Sequence, residues 1–161
     1  MFSRIQLFPE KKLVGLRRKM SFSKNETFQL WNSFMPRRNE ITNNLGSDLF
    51  SIQIYKDNYF KSFDPSIEFI KWAAKEVSDF DSIPTGMESL IIETGLYAVF
   101  VHRGPASTGP KTFGYIFGTW FPASDYHPDN RPHFEILGEK YKHEDPESEE
   151  EIWVPIIHKM M

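Results

Sequence analysis

Two seven-residue segments of this chain match each other and constrain how the whole chain can fold. Residues 30–36 (LWNSFMP) align without a gap against residues 116–122 (IFGTWFP), so that aromatic residues and a proline recur at the same offsets. The other matching segments follow in the same order: 13–16 with 97–100, 49–52 with 133–136, and 71–73 with 152–154. Because four ordered matches are hard to attribute to chance, we predict an internal repeat of about residues 11–77 and 93–157 within a single domain, residues 1–161.

Alternation of apolar and polar residues predicts the strands of both halves. It places them at 11–20, 49–55, 67–77, 90–102, 134–137 and 151–157, with loops at 103–110, 124–132 and 138–148. The first residues could add an edge strand before Pro9. A helix is the alternative for 67–77 because of Ala73 and Ala74, and Gly95 predicts a bulge or bend inside the strand at 90–102.

Apolar residues at three- and four-residue spacing predict one helix in each half, at 25–40 and at 111–121. Ser23 and Glu26 have the spacing of a capping box, in which two side chains satisfy free backbone N–H groups at a helix start. Pro36 lies inside the first helix and should kink or divide it. Each half is therefore a predicted βαββ unit.

A duplicated βαββ unit implies an α+β fold with a pseudo-two-fold axis. Equivalent strands would pair into one extended antiparallel sheet, and both amphipathic helices would lie on one face of it. A groove opens along the axis between the halves, and such junctions are favoured ligand sites. We therefore expect a ligand groove between the two halves.

Glu135 is where the predicted repeat becomes asymmetric, because the first half has Ser51 at the matching position. Alternation along a strand places Glu135 on the face opposite Phe134 and Ile136. If those two residues pack in the core and the groove covers the other face, Glu135 is a partly buried carboxylate among rings. The alternative is a solvated glutamate on the surface.

Aromatic residues make up 16% of the chain. Such rings fill hydrophobic cores, and they also line pockets for flat or cationic ligands. Our ring candidates for the groove, each with core packing as the alternative, are Trp31, Phe34, Tyr55, Trp72, Tyr97, Trp120 and Trp153. Simple packing suits Phe34 and Trp120 best, whereas Tyr55 and Tyr97 have polar tips that suit a groove.

Charge and composition exclude several classes of protein. A formal net charge of -3 argues against direct nucleic-acid binding, which normally needs a strongly basic domain. The absence of cysteine excludes disulfides and thiolate metal sites, and the five histidines lack metal-site spacing. No segment has the length of a bilayer span or the apolar core of a signal peptide. We expect a cytoplasmic protein with no membrane contact, no cofactor and no metal.

Four blocks of the sequence resemble one known family. They are residues 95–104 (GLYAVFVHRG), 115–122 (YIFGTWFP), 131–135 (RPHFE) and 145–156 (DPESEEEIWVPI). Together they resemble the GyrI-like small-molecule-binding domain, the effector-binding module of AraC-type and MerR-type multidrug regulators, which also occurs as a stand-alone protein. The resemblance covers about residues 11–157.

This resemblance implies a tandem βαββ fold whose groove binds hydrophobic, often cationic, aromatic molecules against rings and a buried glutamate. Glu135 matches the position of that glutamate. Regulators of the family carry a helix-turn-helix domain, for which there is no room before Lys11. We therefore expect a stand-alone binding protein for a lipophilic or cationic small molecule, with a separate protein partner left open.

The resemblance also implies two other functions. Some relatives resemble hydrolases that open electrophilic, cyclopropane-containing natural products, and here Glu135 and Tyr97 would act as general base and acid. Turnover of an electrophilic substrate would distinguish this activity from stoichiometric binding. The second alternative is an interaction protein like the gyrase-inhibiting relatives, with the acidic stretch 144–151 contacting a basic partner.

Overall fold

The computed structural model describes residues 1–62 and 64–160, and these residues form nine β-strands. They are β1 (Phe2–Phe8), β2 (Lys11–Met20), β3 (Leu49–Ile54), β4 (Phe69–Val77), β5 (Glu88–Ile92), β6 (Gly95–Arg103), β7 (Tyr126–Pro128), β8 (His133–Leu137) and β9 (Glu149–His158). Every pairing is antiparallel. Eight strands follow the order β1-β6-β9-β8-β3-β4-β2-β5, and β7 pairs with β9. The α+β class and the antiparallel sheet are confirmed, and 67–77 is a strand.

The strand order is symmetric about the central pair β3 and β8. Moving outward from this pair, β9 and then β6 on one side occupy the same positions as β4 and then β2 on the other. At the centre, Ser51 pairs directly with Glu135, its match in the predicted repeat. The tryptophans do not follow the predicted alignment: Trp72 pairs with Ile52 but Trp153 pairs with Phe134, a shift of two residues. The duplication itself therefore stays a prediction.

The sheet must be curled, since only two residues, Pro9 and Glu10, connect β1 to β2. These two strands stand six places apart in the sheet, about 29 Å if the sheet were flat. The connection from Phe8 to Lys11 spans at most about 11 Å. The curl closes one face of the sheet on itself, and we call this the closed face. Its buried residues are Phe8, Leu13, Phe50, Ile52, Trp72, Ala74, Ile92, Tyr97, Val99, Phe134 and Trp153.

Two helical segments cover parts of the other face, which we call the cleft face. Helix α1 (Thr27–Phe34) continues into a 3₁₀ turn (Met35–Glu40). Helix α2 (Gly109–Tyr115) continues through a π-helical segment (Ile116–Trp120) into α3 (Phe121–Ala123). In the described part of the chain, no helix has the length and apolar character needed to cross a bilayer.

Each helical segment packs on its own half of the sheet. Under α1, Leu30 and Phe34 pack with Val14, Ala73 and Val77 of β2 and β4. Under α2 and its continuation, the buried cluster is formed by Ala98, Phe100, Ile116, Phe121, Ile152, Val154 and Ile156. Because the two clusters are separate, the central strands β3 and β8 remain uncovered between the helices.

The start of α1 differs from the prediction, whereas its end agrees. The capping box is wrong, because α1 begins at Thr27, whose N–H donates to Asn25 Oδ1 at 3.0 Å. Ser23 is held elsewhere, since its N–H donates to the carbonyl of Pro65 at 2.9 Å. Pro36 divides the predicted helix as expected, and the α-helical part ends at Phe34.

The predicted strand 90–102, with its interruption at Gly95, is two separate strands rather than one bent strand, because β5 ends at Ile92 and β6 begins at Gly95 near the opposite end of the sheet. A Cβ at Gly95 would lie 1.9 Å from Nη1 of Arg131, so glycine leaves room for that guanidinium. Arg131 Nη2 donates to the carbonyls of Leu96 in β6 and Ile156 in β9, and so links these two strands. The predicted loop 124–132 is also partly wrong, since it contains β7.

Candidate ligand-binding cleft

A cleft of about 1450 Å³ lies on the cleft face between the two helical segments. Its first wall is α1, which contributes Phe28 and Trp31. Its second wall is α2 with the π-helical segment, which contributes Phe117 and two glycines, Gly114 and Gly118. A Cβ at either glycine would meet no atom within 4 Å, so the missing side chains add width to the cleft.

The floor of the cleft is made by alternate residues of the central strands. Phe134 packs on the closed face with Ile136 against it, which turns Glu135 toward the cleft, where it is partly buried. Gln53 of β3 also lines the floor, where its Nε2 donates to Ser51 Oγ at 3.3 Å and its amide lowers the pKa of the Glu135 carboxyl. Glu135 is therefore placed at the predicted groove, and its contact with a ligand stays a prediction.

A second carboxyl group, that of Glu150 on β9, accompanies Glu135 in the cleft lining. Burial raises the pKa of Glu135, while the positive charge of Lys71 and the hydrogen bond from Gln53 act in the opposite direction. Burial and the nearby Glu135 charge raise the pKa of Glu150 to about 8, again opposed by Lys71. Neither carboxylate forms an ion pair with another described residue. The floor thus holds two carboxyl groups whose ionised forms are only partly compensated by their surroundings.

Aromatic rings close one end of the cleft. Tyr55 contacts Tyr59, Phe60 and His133 with ring centroids 4.4 to 4.9 Å apart. Phe60 stacks on Phe117 of the opposite wall at 4.7 Å, so the loop after β3 bridges the two walls. Burial lowers the pKa of His133 to about 3, which keeps its ring neutral and makes it part of this apolar end.

The loop 138–148 forms part of the mouth through Tyr141 and His143. Glu144 accepts hydrogen bonds from the N–H and the hydroxyl of Ser107, which ties this loop to the start of the second wall. Farther along the acidic stretch, Glu149 pairs with Arg103 and Lys140. Several of its carboxylates are therefore engaged within the chain itself.

The structure brings three predicted site residues together in the cleft: Glu135, Trp31 and Tyr55. The other predicted rings lie elsewhere. Phe34 is buried beneath α1. Trp120 packs against Phe2 and Phe100 outside the cleft.

Three further predicted rings, Trp72, Tyr97 and Trp153, belong to the closed face. Their strands carry apolar residues on both faces, so ring content alone did not show which side faces the cleft. The predicted pairing of Glu135 with Tyr97 for acid–base catalysis is corrected as well, since the two side chains lie on opposite faces. The Tyr97 hydroxyl instead donates to the carbonyl of Pro132 at 3.0 Å.

Sequence reasoning missed several residues of the cleft, including Glu150, Lys71, Gln53, Tyr59, Phe60 and Phe117. A signal for some of them was available. Because Trp72 was predicted within a strand, alternation places its neighbour Lys71 on the opposite face of the sheet. Alternation likewise places Glu150 on the same face as Ile152 and opposite Trp153. The residues of the loop after β3 carry no periodic signal that would place them at a site.

The model of a family described as GyrI-like small molecule binding domain matches residues 1–157 of this chain. Among characterised relatives, the transcriptional regulator BrlR of Pseudomonas aeruginosa is 27% identical over 157 residues. That match covers 97% of this chain but 56% of BrlR, so the chain spans little more than half the length of this relative.

Solved structures share the fold at low identity. SAV2435, solved bound to tetraphenylphosphonium, has a TM-score of 0.71 at 13% identity, covering 98% of this chain and 94% of that one. The C-terminal domain of EcmrR has a TM-score of 0.69 at 16% identity, covering 99% of both chains. A hydrolase encoded by lin2189 from Listeria innocua has a TM-score of 0.60 at 13% identity, covering 96% and 91%.

Proposed function

The chain belongs to the family of GyrI-like small-molecule-binding domains, and we propose that its cleft binds a lipophilic organic cation. The observation that carries this proposal is the pair Glu135 and Glu150, two partly buried carboxyl groups without an ion-pair partner among the described residues, on the floor of an aromatic cleft. Glu135 is the principal counter-charge, because it lies at the centre of the sheet.

The charge of the ligand follows from the cost of burying carboxylates. A carboxylate removed from water is destabilised unless a cation or hydrogen bonds compensate it. Gln53 compensates Glu135 in part, and the raised pKa of both glutamates reflects what remains. A bound cation would recover this electrostatic energy, and it would lower the pKa of both groups on binding.

The shape and apolar character of the ligand follow from the walls. Trp31, Phe117 and Tyr55 offer ring faces, which attract cations through their quadrupoles and pack against aromatic groups. The width added by Gly114 and Gly118 suits a bulky ligand rather than a single flat ring. We infer a cation whose charge is surrounded by apolar, preferably aromatic, groups.

The similar proteins give independent support. SAV2435 was solved with tetraphenylphosphonium, a cation surrounded by four phenyl groups, on the same fold. BrlR is named a transcriptional regulator and is almost twice as long as the matching segment. We infer that this chain senses or captures its ligand in the way of an effector-binding domain, and that it does not itself contact nucleic acid.

Tetraphenylphosphonium and tetraphenylborate test the charge recognition, because they have nearly the same shape and opposite charge. By titration calorimetry, we expect the phosphonium to bind the wild-type protein more tightly than the borate. The variant Glu135→Gln should reduce phosphonium affinity by about tenfold or more, as expected for a desolvated charge pair. Glu147→Gln, at an exposed position of the acidic stretch, is the matched control and should change neither affinity. Equal binding of the two ions, or an unchanged phosphonium affinity in Glu135→Gln, would contradict the proposal.

A hydrolase is a second candidate, favoured by two carboxyl groups of raised pKa in one cleft beside tyrosines. Burial raises the pKa of Tyr141 to about 12, and burial and Glu135 raise that of Tyr55, so both phenols stay protonated and can donate. In this reaction Glu135 would take a proton from water as the water oxygen bonds to a cyclopropane carbon and the ring C–C bond breaks, and Tyr55, in place of Tyr97, would protonate the resulting carbanion. Turnover of a strained cyclopropane electrophile that is lost in Glu135→Gln would support it, and purely stoichiometric binding would oppose it.

A further inference from the structure

We propose that the ligand of this cleft is amphoteric, with an anionic group bound by Lys71 in addition to the cation at Glu135. This inference rests on the proposed function, because it takes the position of the cation from it. The ligand class is therefore an aromatic molecule that carries an ammonium-like or iminium-like cation and a carboxylate or similar anion.

The first observation is the order of charges across the floor. Lys71 of β4, Gln53 of β3, Glu135 of β8 and Glu150 of β9 line the cleft on four consecutive strands. Lys71 pairs with Gln53, and Gln53 pairs with His133, two residues from Glu135. The Cα atoms of Lys71 and Glu135 are thus about 12 Å apart, given strand and residue spacing. The floor is positive at one side and negative at the other.

The second observation is that the Lys71 ammonium has free bonding capacity. Its Nζ donates one hydrogen bond, to Oγ1 of Thr27 at 3.3 Å, and it forms no ion pair with another described residue. An ammonium group has three donors, so two remain for a group in the cleft. An anion on the ligand would use them.

The third observation is that Lys71 contacts the first residue of α1. The amino end of a helix carries a partial positive charge, and the first turn of α1 contains no acidic residue that would offset it. Glu26, which precedes the helix, is engaged by Arg18 at 2.6 Å. The Lys71 ammonium and the amino end of α1 therefore both favour an anion at this side of the cleft.

A purely internal role for Lys71 makes a different prediction. If Lys71 served only to moderate the charge of Glu135, its removal would strengthen the binding of every cation alike, whether or not the cation carried an anion. An anion-binding Lys71 must instead separate zwitterions from pure cations. The two roles are therefore distinguishable with a matched pair of ligands.

A rhodamine dye with a free benzoate and its methyl ester form such a pair, since the acid is a zwitterion at neutral pH and the ester is a cation. We expect Lys71→Gln to weaken binding of the acid by about tenfold, the usual size of a partly buried charge contact. The affinity of the ester should stay the same or rise. Lys75→Gln, on the same strand but outside the cleft lining, should change neither. Fluorescence anisotropy measures both affinities.

Lys71→Arg keeps the positive charge and should retain most of the affinity for the acid, which guards against a general effect of substitution. An equal change for both dyes, or an unchanged affinity for the acid in Lys71→Gln, would overturn the inference. In that case tetraphenylphosphonium and the ester would still bind in a Glu135-dependent way, and the proposed function would stand. If neither of those cations bound the wild-type protein, both proposals would fall.

Discussion

The two faces of the sheet are built by the same strands and differ in what their side chains do. On the closed face, Phe134 is 1% exposed and contacts other rings on all sides. On the cleft face, its neighbour Glu135 lies in an open space whose charges are only partly compensated. Trp72 and Lys71 repeat this contrast on β4. Adjacent residues in the chain thus face a packed interior on one side of the sheet and, under the proposed function, a ligand on the other.

The largest effect is expected from the closed face. Phe134→Ala should lower the free energy of unfolding by about 3–5 kcal/mol, because it removes a fully buried ring from a packed cluster. Urea denaturation measures this loss. Glu135→Gln on the same strand should cost no stability, since it removes a desolvated charge. A loss of less than about 1 kcal/mol in Phe134→Ala would mean that the closed face is not the stabilising one.

The next effect is a pH dependence that arises from the cleft face. The pKa of Glu150 is about 8 in the folded protein and 4.5 when unperturbed, so between these values the folded state binds more protons than the unfolded state. The stability contributed by the protonated group is complete below pH 4.5 and is lost as pH rises toward 8. Glu150→Gln should remove this loss.

The difference in unfolding free energy between Glu150→Gln and wild type should therefore grow from near zero at pH 4.5 to on the order of 4 kcal/mol at pH 8. Urea denaturation at several pH values measures it, with Glu147→Gln as the exposed control. A difference that stays constant with pH would show that Glu150 is not held in a desolvated site.

Filling the cleft should separate binding from folding. In Gly118→Phe, the new ring would enter the space of the cleft, because a Cβ there meets no atom within 4 Å. Affinity for tetraphenylphosphonium should fall by at least about tenfold, while the unfolding free energy changes by less than about 1 kcal/mol, since glycine is a poor helix former. Gly118→Ala controls for the backbone effect. An unchanged affinity of Gly118→Phe for tetraphenylphosphonium would show that the ligand binds outside this part of the cleft.

The smallest effect is a fluorescence signature of the two faces. Of the four tryptophans, Trp31 lines the cleft, whereas Trp72 and Trp153 lie on the closed face and Trp120 packs outside the cleft. Quenching by a bound ligand should therefore come mainly from Trp31 and largely disappear in Trp31→Phe. The variant Trp153→Phe should keep the quenching, and the reverse pattern would place the ligand on the wrong face.

Much of the fold follows from alternation and helical spacing in the sequence. The strand β2, the division of the first helix at Pro36 and the face taken by Glu135 were all predictable from local pattern. The separation of β5 from β6 was not, because it depends on pairing with distant strands, β5 with β2 and β6 with β1 and β9.

The site was predictable only in part for a related reason. Strands that are buried on both faces carry apolar residues on both, so rings such as Trp72 and Trp153 give no sign of which face is open. Polar residues were the better guide: Glu135, Lys71 and Glu150 all point toward the cleft. The walls depend on helix placement and on the loop after β3, which no short-range pattern specifies.

A crystal structure of the complex with tetraphenylphosphonium tests the central claim most directly. We predict the phosphorus atom within about 6 Å of the Glu135 carboxylate, a distance at which the charges interact strongly in a partly buried site. Its phenyl rings should contact Trp31 and Tyr55, and the closed face should be unchanged. A cation bound outside the cleft, or bound in it with the Glu135 carboxylate turned away, would contradict the account.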